Sequence, residues 1–448
     1  MPDPRLSRTV LLAYGGLGLP LAALNLPLYV YLPAFYADQL GLGLAAVGGA
    51  LFAARLLDAL TDPVIGELSD RSRWRFGRRR PWLVLACPLL LWATWMLFVP
   101  DGPVGSGYLL LWSSAAYVAW TLMLLPYTAW GAELASGYHE RSRITAVREG
   151  CVIAGIVLAA ALPALLGISA DDRGQVLAAL AWIMLLLLPL ALLALLLVVP
   201  EGDPGERTPL DLRKGLAIAW RNRPFRRLIG AYFLNGIANG LPATLFLIFT
   251  ADRLQLPDRA APLLLLYFVA GIAAIPLWLR LSYRIGKHRA WAVAMLWASA
   301  AFIWVPLLGP GDYWGFLLIC LLSGVALGAD LALPASLQAD VVDLDWLESG
   351  RRRTGLFFAV WSMTTKLSLA LAVGIAFPIL ELAGLRAGGA NSAVALGTLA
   401  ALYGLVPVAI KLAATALVWN FPITEALQDE TRRKLEGRAA AAAAGGAS

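Results

Sequence analysis

Charged residues are scarce in this sequence. Of its 448 residues only 15% are Asp, Glu, Lys or Arg, whereas 60% are hydrophobic. A soluble domain of this length cannot bury so much apolar side chain in one core, so a water-soluble globular protein is excluded. The apolar runs are continuous and do not alternate with period two, which excludes a membrane β-barrel. The composition therefore predicts an all-α polytopic membrane protein.

Cysteine and histidine are also rare. The cysteines Cys87, Cys151 and Cys320 lie in apolar stretches and lack the spacing of a disulfide pair or a metal site. The two histidines, His139 and His288, lie in polar connections. A membrane-embedded enzyme with clustered His or Cys ligands is disfavoured, and no phosphate-binding loop indicates ATP-driven transport. We expect no enzymatic activity and no cofactor.

Apolar windows long enough to cross a bilayer recur about twelve times along the chain. A spanning helix needs roughly 20 apolar residues. The first run is too long for the apolar region of a signal peptide, so we expect it to be retained as the first span. The predicted spans start near residues 12, 43, 82, 107, 147, 177, 228, 260, 290, 314, 355 and 393.

The positive charges are concentrated in the two terminal segments and in alternate connections between these spans, which together hold 29 of the 36 Lys and Arg residues. Because Lys and Arg are enriched in cytoplasmic loops, we expect both termini in the cytoplasm and the chain in a plasma membrane, the inner membrane in a bacterium. The basic residues then report topology, and nucleic acid is not an expected partner. The basic segments are 1–8, 71–80, 141–148, 207–227, 280–289, 351–353 and 432–438.

A long polar connection that starts at Glu201 divides six predicted spans from six. Residues 77–82 read GRRRPW and residues 286–291 read GKHRAW, and the same offset of 209 residues brings Arg143 onto Arg352. We therefore expect two parallel halves related about the membrane normal, the layout of the major facilitator fold, with substrate between them. The expected units are a six-helix bundle at 1–200, a cytoplasmic central loop at 201–227, a second six-helix bundle at 228–421 and a cytoplasmic tail at 422–448.

Two aspartates lie inside the second predicted span. Asp58 and Asp62 are four residues apart and so share one helix face. An ionisable residue inside a membrane costs about 2.5 to 3.5 kcal/mol on insertion scales and therefore indicates function. Two such charges repel unless a cation or proton lies between them, so the pair predicts a site for Na⁺ or a proton, with Thr61 adding a hydroxyl. The alternative is that the acids only pair with Arg55 or with the basic loop at 71–80.

Three further ionisable residues are candidates for the substrate site. Lys366 lies near the middle of the eleventh predicted span and needs an anionic partner, which we expect the acid pair to supply across the cavity between the halves. Asp330 lies beside a proline in the tenth span, where a broken helix can contact substrate. Arg148 is expected to reach the cytoplasmic side of the cavity. The alternative for Lys366 is a static buried ion pair, and the alternative for Asp330 is a structural pair with an Arg or Lys. The alternative for Arg148 is a charge that only helps to set the topology of the chain.

Most of the 17 tryptophans fall at the ends of predicted spans and are expected to anchor the chain at the membrane interface. Trp120 and Trp361 instead fall inside the fourth and eleventh spans. Their aromatic faces are candidates for stacking on a sugar ring. Packing toward lipid is the alternative for both.

Three segments of the chain carry a family resemblance. They read DALTDPVIGELSDRSRWRFGRRRPW at 58–82, PYTAWGAELASGYHERSRITAVRE at 126–149 and ADVVDLDWLESGRRRTGLFFAVWSMTTK at 339–366. These segments resemble the glycoside-pentoside-hexuronide:cation symporters, the group that contains the melibiose carrier. The resemblance extends over nearly the whole chain. It implies the major facilitator fold with twelve transmembrane helices and coupling to Na⁺ or H⁺.

The resemblance also implies roles for particular positions. The cation would be held by Asp58, Thr61, Asp62 and Thr121, and the charged wall of the cavity would include Arg148 and Lys366. The sequence departs from the melibiose carrier where that carrier's sugar-binding acids lie, since Ala22 and Leu124 occupy these positions. A site that leaves the hydroxyl groups of a sugar unpaired discriminates weakly among sugars. These two replacements therefore weaken the case for a galactoside as the substrate.

The expected function is therefore cation-coupled symport of a sugar, glycoside or sugar acid by alternating access. A net-positive cavity formed by Arg148 and Lys366 would favour an anionic sugar. The wider group also resembles eukaryotic lysolipid carriers, so a lysolipid or another amphiphile is the alternative substrate, and a non-transporting sensor is a third possibility. The expected partners are a small-molecule substrate and membrane lipid, and a monomer is expected.

Overall fold

The computed structural model of the protein is a bundle of membrane-length helices. It describes residues 6–72, 77–134, 138–168, 172–201, 220–349 and 354–423, together with 427–428, 430–431 and 433–435. Within these residues, twelve helices are long and apolar enough to cross a membrane. A helix pairs its backbone groups internally, as hydrocarbon requires. The helices are α1 (Arg8–Gln39), α2 (Leu44–Arg71), α3 (Arg80–Phe98), α4 (Ser106–Glu133), α5 (Tyr138–Leu165), α6 (Arg173–Val198), α7 (Arg223–Arg253), α8 (Ala260–Ile285), α9 (Lys287–Phe302), α10 (Tyr313–Ser349), α11 (Thr354–Leu382) and α12 (Ala393–Trp419).

The first helix begins and the last helix ends on the same side of the membrane, because the described spans are even in number. We call this side the terminal face, and the side where α1 ends and α2 begins the distal face. Helices α1–α6 form the N-half and α7–α12 the C-half. Residues 202–219 of the predicted central loop, most of the predicted tail and Arg352 lie outside the described residues.

The two halves meet along helices that lie side by side. Helix α2 packs on α11, α5 packs on α8, and α1 packs on α7. Within the halves, α2 packs on α4, and α8 and α9 both pack on α10. A residue in the middle of α2, α4 or α11 therefore lies close to the seam between the halves.

The first and last helices of each half begin with the same kind of cap. Ser7 before α1 and Asn222 before α7 each accept a hydrogen bond from the amide three residues on, at 3.2 and 2.9 Å. Asp172 before α6 and Ser392 before α12 do the same, at 3.0 and 3.2 Å. These caps satisfy amide groups that have no partner within the helix. The halves thus repeat each other in local structure.

The distal ends of α1 and α7 repeat in both sequence and backbone. Residues 35–42 read FYADQLGL and residues 249–256 read FTADRLQL, an offset of 214. Each begins with a π-helical turn, and in each the N–H of the first leucine donates to the carbonyl of the phenylalanine at 3.1 Å. Such turns are frequent at functional sites. The sequence analysis missed this repeat.

Glycines bring α2 and α11 together in the distal half of the membrane. A Cβ added at Gly48 would lie 2.9 Å from the Cβ of Phe377, and one added at Gly374 would lie 2.9 Å from Cδ2 of Phe52. Small residues allow helix backbones to approach closely in membranes. We call this contact the distal seam.

Polar groups close the distal face above this seam. The Ala45 N–H at the start of α2 donates to Oε2 of Glu381 on α11 at 2.5 Å. In the connection between α11 and α12, the N–H of Gly388 donates to Oδ1 of Asp252 at 3.0 Å. Gly388 has a φ of +71° and lies so close to Asp38 of the N-half that a Cβ would overlap its carboxylate. The distal face is closed by contacts between the halves.

The apolar core has two parts. One buried cluster includes residues of both halves, such as Tyr36 of α1 and Phe249 of α7. A second cluster lies entirely in the C-half toward the terminal face and includes Phe225, Trp291 and Val341. The halves therefore share a core that includes the distal ends of α1 and α7, and the C-half has a core of its own toward the terminal face.

Two helices differ from the predicted spans. Helix α5 begins at Tyr138, nine residues before the predicted start, because the polar segment before residue 147 continues the same helix. Helix α10 has 37 residues and extends to Ser349. At about 1.5 Å per residue it is longer than a bilayer is thick, so it projects from the terminal face.

Candidate functional site

The middle of α2 carries the two predicted acids into the seam between the halves. Asp58 and Asp62 lie one turn apart, and their side chains are only 2% and 12% exposed. Burial of two carboxylates on one helix face is costly unless a positive charge compensates them. The positive charge comes from the other half.

Lys366 of α11 inserts its ammonium group between the two carboxylates. Its Nζ lies 2.9 Å from Asp58 Oδ1 and 2.6 Å from Asp62 Oδ1. It also donates to Oγ1 of Thr121 on α4 at 2.9 Å. The same hydroxyl lies 2.9 Å from Asp58 Oδ1 and 2.8 Å from Asp62 Oδ1, and donates to one of them. Three oxygens of the N-half thus surround one cationic atom of the C-half.

This set of ligands is suited to a small cation. Two carboxylate oxygens and one hydroxyl are hard donors of the kind that bind metal ions through oxygen. A lysine ammonium is a compact point charge on a flexible stem, so it can occupy such a position and leave it. The three oxygens hold the ammonium in the structure, and one position cannot contain both the ammonium and another cation.

Two residues next to the acids have other contacts. The hydroxyl of Thr61 donates to the backbone carbonyl of Asp58 at 3.0 Å, so it is directed along its own helix. The guanidinium of Arg55 lies between two aromatic rings, 4.2 Å from the centroid of Tyr29 and 3.9 Å from that of Tyr117. Cation–π contacts of this kind stabilise a buried arginine. A small cavity lined by α1, α2, α4 and α11 lies beside it.

A second buried polar cluster lies inside the C-half around Asp330 of α10. Asp330 Oδ1 accepts hydrogen bonds from Asn235 Nδ2 at 2.9 Å and from Trp291 Nε1 at 2.7 Å. Its Oδ2 accepts one from Asn239 Nδ2 at 2.8 Å. Helices α7, α9 and α10 therefore converge on this carboxylate.

Lys411 of α12 completes the second cluster. Its Nζ donates to Oδ1 of Asn235 and to Oδ1 of Asn239, both at 2.7 Å, and lies 4.0 Å from Asp330 Oδ2. Each asparagine thus directs its carbonyl to the ammonium and its amide nitrogen to the carboxylate. The two charges interact mainly through these amides, since 4.0 Å exceeds hydrogen-bond distance.

The predicted aromatic residues lie in different surroundings. The ring of Trp361 stacks on Tyr232 of α7, with the centroids 3.7 Å apart, and Tyr232 Oη lies 3.0 Å from Oγ1 of Thr365. Trp120 of α4 is half-buried and packs against the shared apolar core. Trp361 therefore lies in the C-half beside α7, while Trp120 lies in the N-half.

Arg148 lies in the part of α5 nearest the terminal face. Its Nη2 is 2.6 Å from Oε1 of the adjacent Glu149, and its guanidinium lies beside Tyr14 of α1. Its positive charge is thus compensated by a neighbouring carboxylate. The structure brings Asp58, Asp62, Thr121 and Lys366 into one site and keeps Arg148 apart from it.

The sequence analysis missed three members of the second cluster. Asn235, Asn239 and Trp291 are neutral, so no excess charge distinguishes them in the sequence. The signal that was available is two asparagines four residues apart in an apolar span, the same spacing as the acid pair in α2. Lys411 is visible in the sequence only as a charge inside an apolar span.

The comparison with protein-family models finds a match to the model described as MFS/sugar transport protein, over residues 13–425. Among curated relatives, an uncharacterized symporter from Synechocystis is 27% identical, covering 97% of each chain. The human sodium-dependent lysophosphatidylcholine symporter 1 is 25% identical over 86% of this chain and 78% of its own length. The isoprimeverose transporter of Lactiplantibacillus pentosus is 26% identical over 87% of this chain and 83% of its own.

Among solved structures, a mutant of the nucleoside transporter NupG superposes with a TM-score of 0.70. The match has 12% sequence identity and covers 91% of this chain and 99% of the other. At this identity the likeness concerns the fold alone. Taken with the family model, this likeness shows that the arrangement of the helices is that of the major facilitator transporters.

Proposed function

The chain belongs to the family of MFS/sugar transport proteins, and on this premise we propose that it carries a small solute across the membrane together with Na⁺ or H⁺. It is a membrane transporter and not an enzyme. Its relatives include named symporters. The observation that carries the proposal is the ammonium of Lys366 within an oxygen site that a coupling cation would fit.

The coupling cation would bind at the position that the Lys366 ammonium occupies. A sodium ion would exchange for the ammonium and take Asp58 Oδ1, Asp62 Oδ1 and Thr121 Oγ1 as ligands. A proton would instead neutralise one of the two carboxylates and weaken its hold on the lysine. In both cases the N-half retains the ligands and the C-half loses its contact with them.

This exchange links cation binding to movement of the two halves. The acid pair and Thr121 belong to α2 and α4, whereas Lys366 belongs to α11, so their contacts cross the seam. A ligand that displaces the ammonium removes one of the interactions joining the halves and so changes the balance between conformations. Alternating access about a site near the membrane midplane then follows.

The proposed substrate is a sugar, a glycoside or a sugar acid. The isoprimeverose transporter among the relatives supports this class by its name. Asp330 and Trp361 are the proposed substrate contacts in the C-half, and Arg148 and Trp120 those in the N-half. A lysolipid is the second candidate, favoured by the lysophosphatidylcholine symporter among the relatives.

The proposed location is the plasma membrane, which is the inner membrane in a bacterium, with the terminal face toward the cytoplasm. The basic segments that are enriched at this face support that orientation. We propose that the chain works as a monomer with no cofactor besides the coupling ion.

The cation site can be tested by binding alone, without knowledge of the substrate. Purified protein is heated with increasing Na⁺ at constant ionic strength, and a ligand that binds the folded state raises the midpoint of thermal unfolding. The expected result is a Na⁺-dependent rise that is lost in Asp58→Asn and Asp62→Asn.

The matched control is Asp340→Asn, which changes another buried aspartate, on α10, that pairs with Lys287 at 2.6 Å. It should keep the response to Na⁺. A midpoint that follows pH but not Na⁺, with the same dependence on both acids, would assign proton coupling. A response to neither ion would contradict the proposed cation site.

A further inference from the structure

The charged groups of the interior indicate the charge of the substrate. The informative groups are those that can still form a hydrogen bond or ion pair with a ligand. Within the described spans, Lys366 is held by two carboxylates and Arg148 by Glu149. Lys411 is 2% exposed and donates to two amide oxygens. These three cations are compensated within the structure, which differs from the net-positive cavity expected from the sequence.

The carboxylate of Asp330 differs from these cations because it keeps an unused acceptor position. A carboxylate offers about four lone-pair positions, and three N–H donors occupy Asp330 in the structure. Its side chain is 15% exposed, whereas Lys411 behind it is almost fully buried. The hydrogen-bonding position that remains free in this cluster therefore belongs to Asp330 and not to Lys411.

The asparagines explain how this acid lies beside the lysine without being paired to it directly. Asn235 and Asn239 each bond the ammonium with the carbonyl and the carboxylate with the amide nitrogen. The ammonium is near enough to balance the charge but does not take an acceptor position by direct hydrogen bonding. Polar groups fixed in this way are already organised for a ligand before it binds.

An aromatic surface lies beside this acceptor. Tyr232 precedes Asn235 by three residues on α7, so the two side chains share a helix face. Tyr232 lies near enough to Asp330 to interact with it electrostatically, and its ring stacks on Trp361. An apolar aromatic face next to a few fixed polar groups is typical of small-molecule sites.

We propose that Asp330, with Asn239 and the Tyr232–Trp361 pair, forms a C-half subsite for a neutral, hydroxyl-bearing ligand, a glycoside and not a sugar acid. The inference rests on the proposed transport function and specifies its substrate class. A ligand hydroxyl donates to the free acceptor position of Asp330, and the C–H face of the sugar ring lies on the aromatic pair. A carboxylate or phosphate at this point would be repelled by Asp330.

The test uses matched ligands that differ only at C6. Purified full-length protein is titrated with methyl β-D-glucopyranoside and methyl β-D-glucuronide, with the corresponding galactose pair, and with isoprimeverose, and affinities are taken from the thermal midpoint. At least one neutral glycoside should bind about tenfold or more tightly than its acid counterpart. Asp330→Asn should weaken that binding by about 10- to 100-fold, the range for a lost hydrogen bond to a charged group, while Asp340→Asn should not.

The Na⁺ response of each variant separates this inference from the proposed coupling. Asp330→Asn should retain the wild-type rise of the thermal midpoint with Na⁺, which would show that the variant is folded. If Asp330→Asn does not fold, Trp361→Leu replaces it, and this variant is expected to lose glycoside binding. A missing Na⁺ response beside glycoside binding that depends on Asp330 would support the subsite and contradict sodium coupling.

Three results would overturn the assignment of the subsite. They are tighter binding of an acid than of its neutral counterpart, glycoside binding unaffected by Asp330→Asn, and no response to any neutral glycoside. A midpoint raised only by lysophosphatidylcholine belongs to the third result.

Discussion

At the scale of single residues, Lys366 is the positive charge that allows two carboxylates to share one helix face. Replacing it by methionine leaves Asp58 and Asp62 facing each other in a buried site. Loss of one partner from a buried ion pair costs about 3 to 5 kcal/mol. We expect Lys366→Met to lower the thermal midpoint in sodium-free buffer, and added Na⁺ to restore much more stability than in the wild-type protein, because the ion no longer competes with the ammonium.

The control is Lys411→Met, which removes a more deeply buried ammonium that contacts amide oxygens. It should also lower the midpoint, but Na⁺ should restore no more stability than in the wild type. If Na⁺ affected both variants equally, Lys366 would not be a competitor for the cation.

Residues of the candidate site could be predicted from the sequence where they carry a charge inside an apolar span. Asp58, Asp62 and Lys366 are conspicuous because lipid excludes ionisable groups, and the structure has the lysine beside both acids. Thr61 and Thr121 show the limit of this reasoning. One hydroxyl faces its own helix and the other faces the acids, and that difference depends on how α2 and α4 are packed.

At the scale of helices, the distal seam depends on Gly48 facing Phe377. A branched side chain at position 48 does not fit without moving α11, and overpacking costs about 1 to 3 kcal/mol. We therefore expect Gly48→Val to lower the thermal midpoint and to hinder closure of the distal face.

The adjacent Gly49 provides a matched control, because no atom lies within 4 Å of a Cβ added there. Gly49→Val makes the same chemical change in the same helix and should leave the midpoint nearly unchanged. Equal effects at positions 48 and 49 would indicate a change in helix propensity and not in the seam.

The transmembrane helices could be predicted from the length of the apolar runs. Their exact ends and their backbone hydrogen-bond pattern could not. The early start of α5 was missed because its first residues are polar and lie beyond the expected apolar span. The π-helical turns at the ends of α1 and α7 were missed because hydropathy does not distinguish a π turn from an α turn. The repeated FxADxLxL pattern was nevertheless visible in the sequence.

At the scale of the whole molecule, the even number of spans and the basic segments predict where the ends of the chain lie. We expect green fluorescent protein fused after Ser448 to fluoresce in a bacterial host, because it stays in the cytoplasm. Alkaline phosphatase inserted after Val104, between α3 and α4, should be active because the distal face meets the oxidising periplasm.

Exchanging the two reporters provides the control. Alkaline phosphatase after Ser448 should be inactive, and fluorescent protein after Val104 should be dark. The reverse pattern at both positions would contradict the assigned orientation while leaving the helix count unaffected.

The crossing of the seam by a single ammonium also has an electrical consequence. With both acids ionised, Asp58, Asp62 and Lys366 together carry one net negative charge, and the buried guanidinium of Arg55, one turn before Asp58, cancels it. In the proposed cycle, one bound sodium ion therefore gives the loaded site one net positive charge, whereas the site without the ion is neutral. With a neutral substrate, a membrane voltage then acts on the loaded transporter, by up to about 2.3 kcal/mol per 100 mV. An interior-negative cell would draw the loaded site inward, so voltage would increase turnover through the inward movement of the ion and not through the return of the carrier.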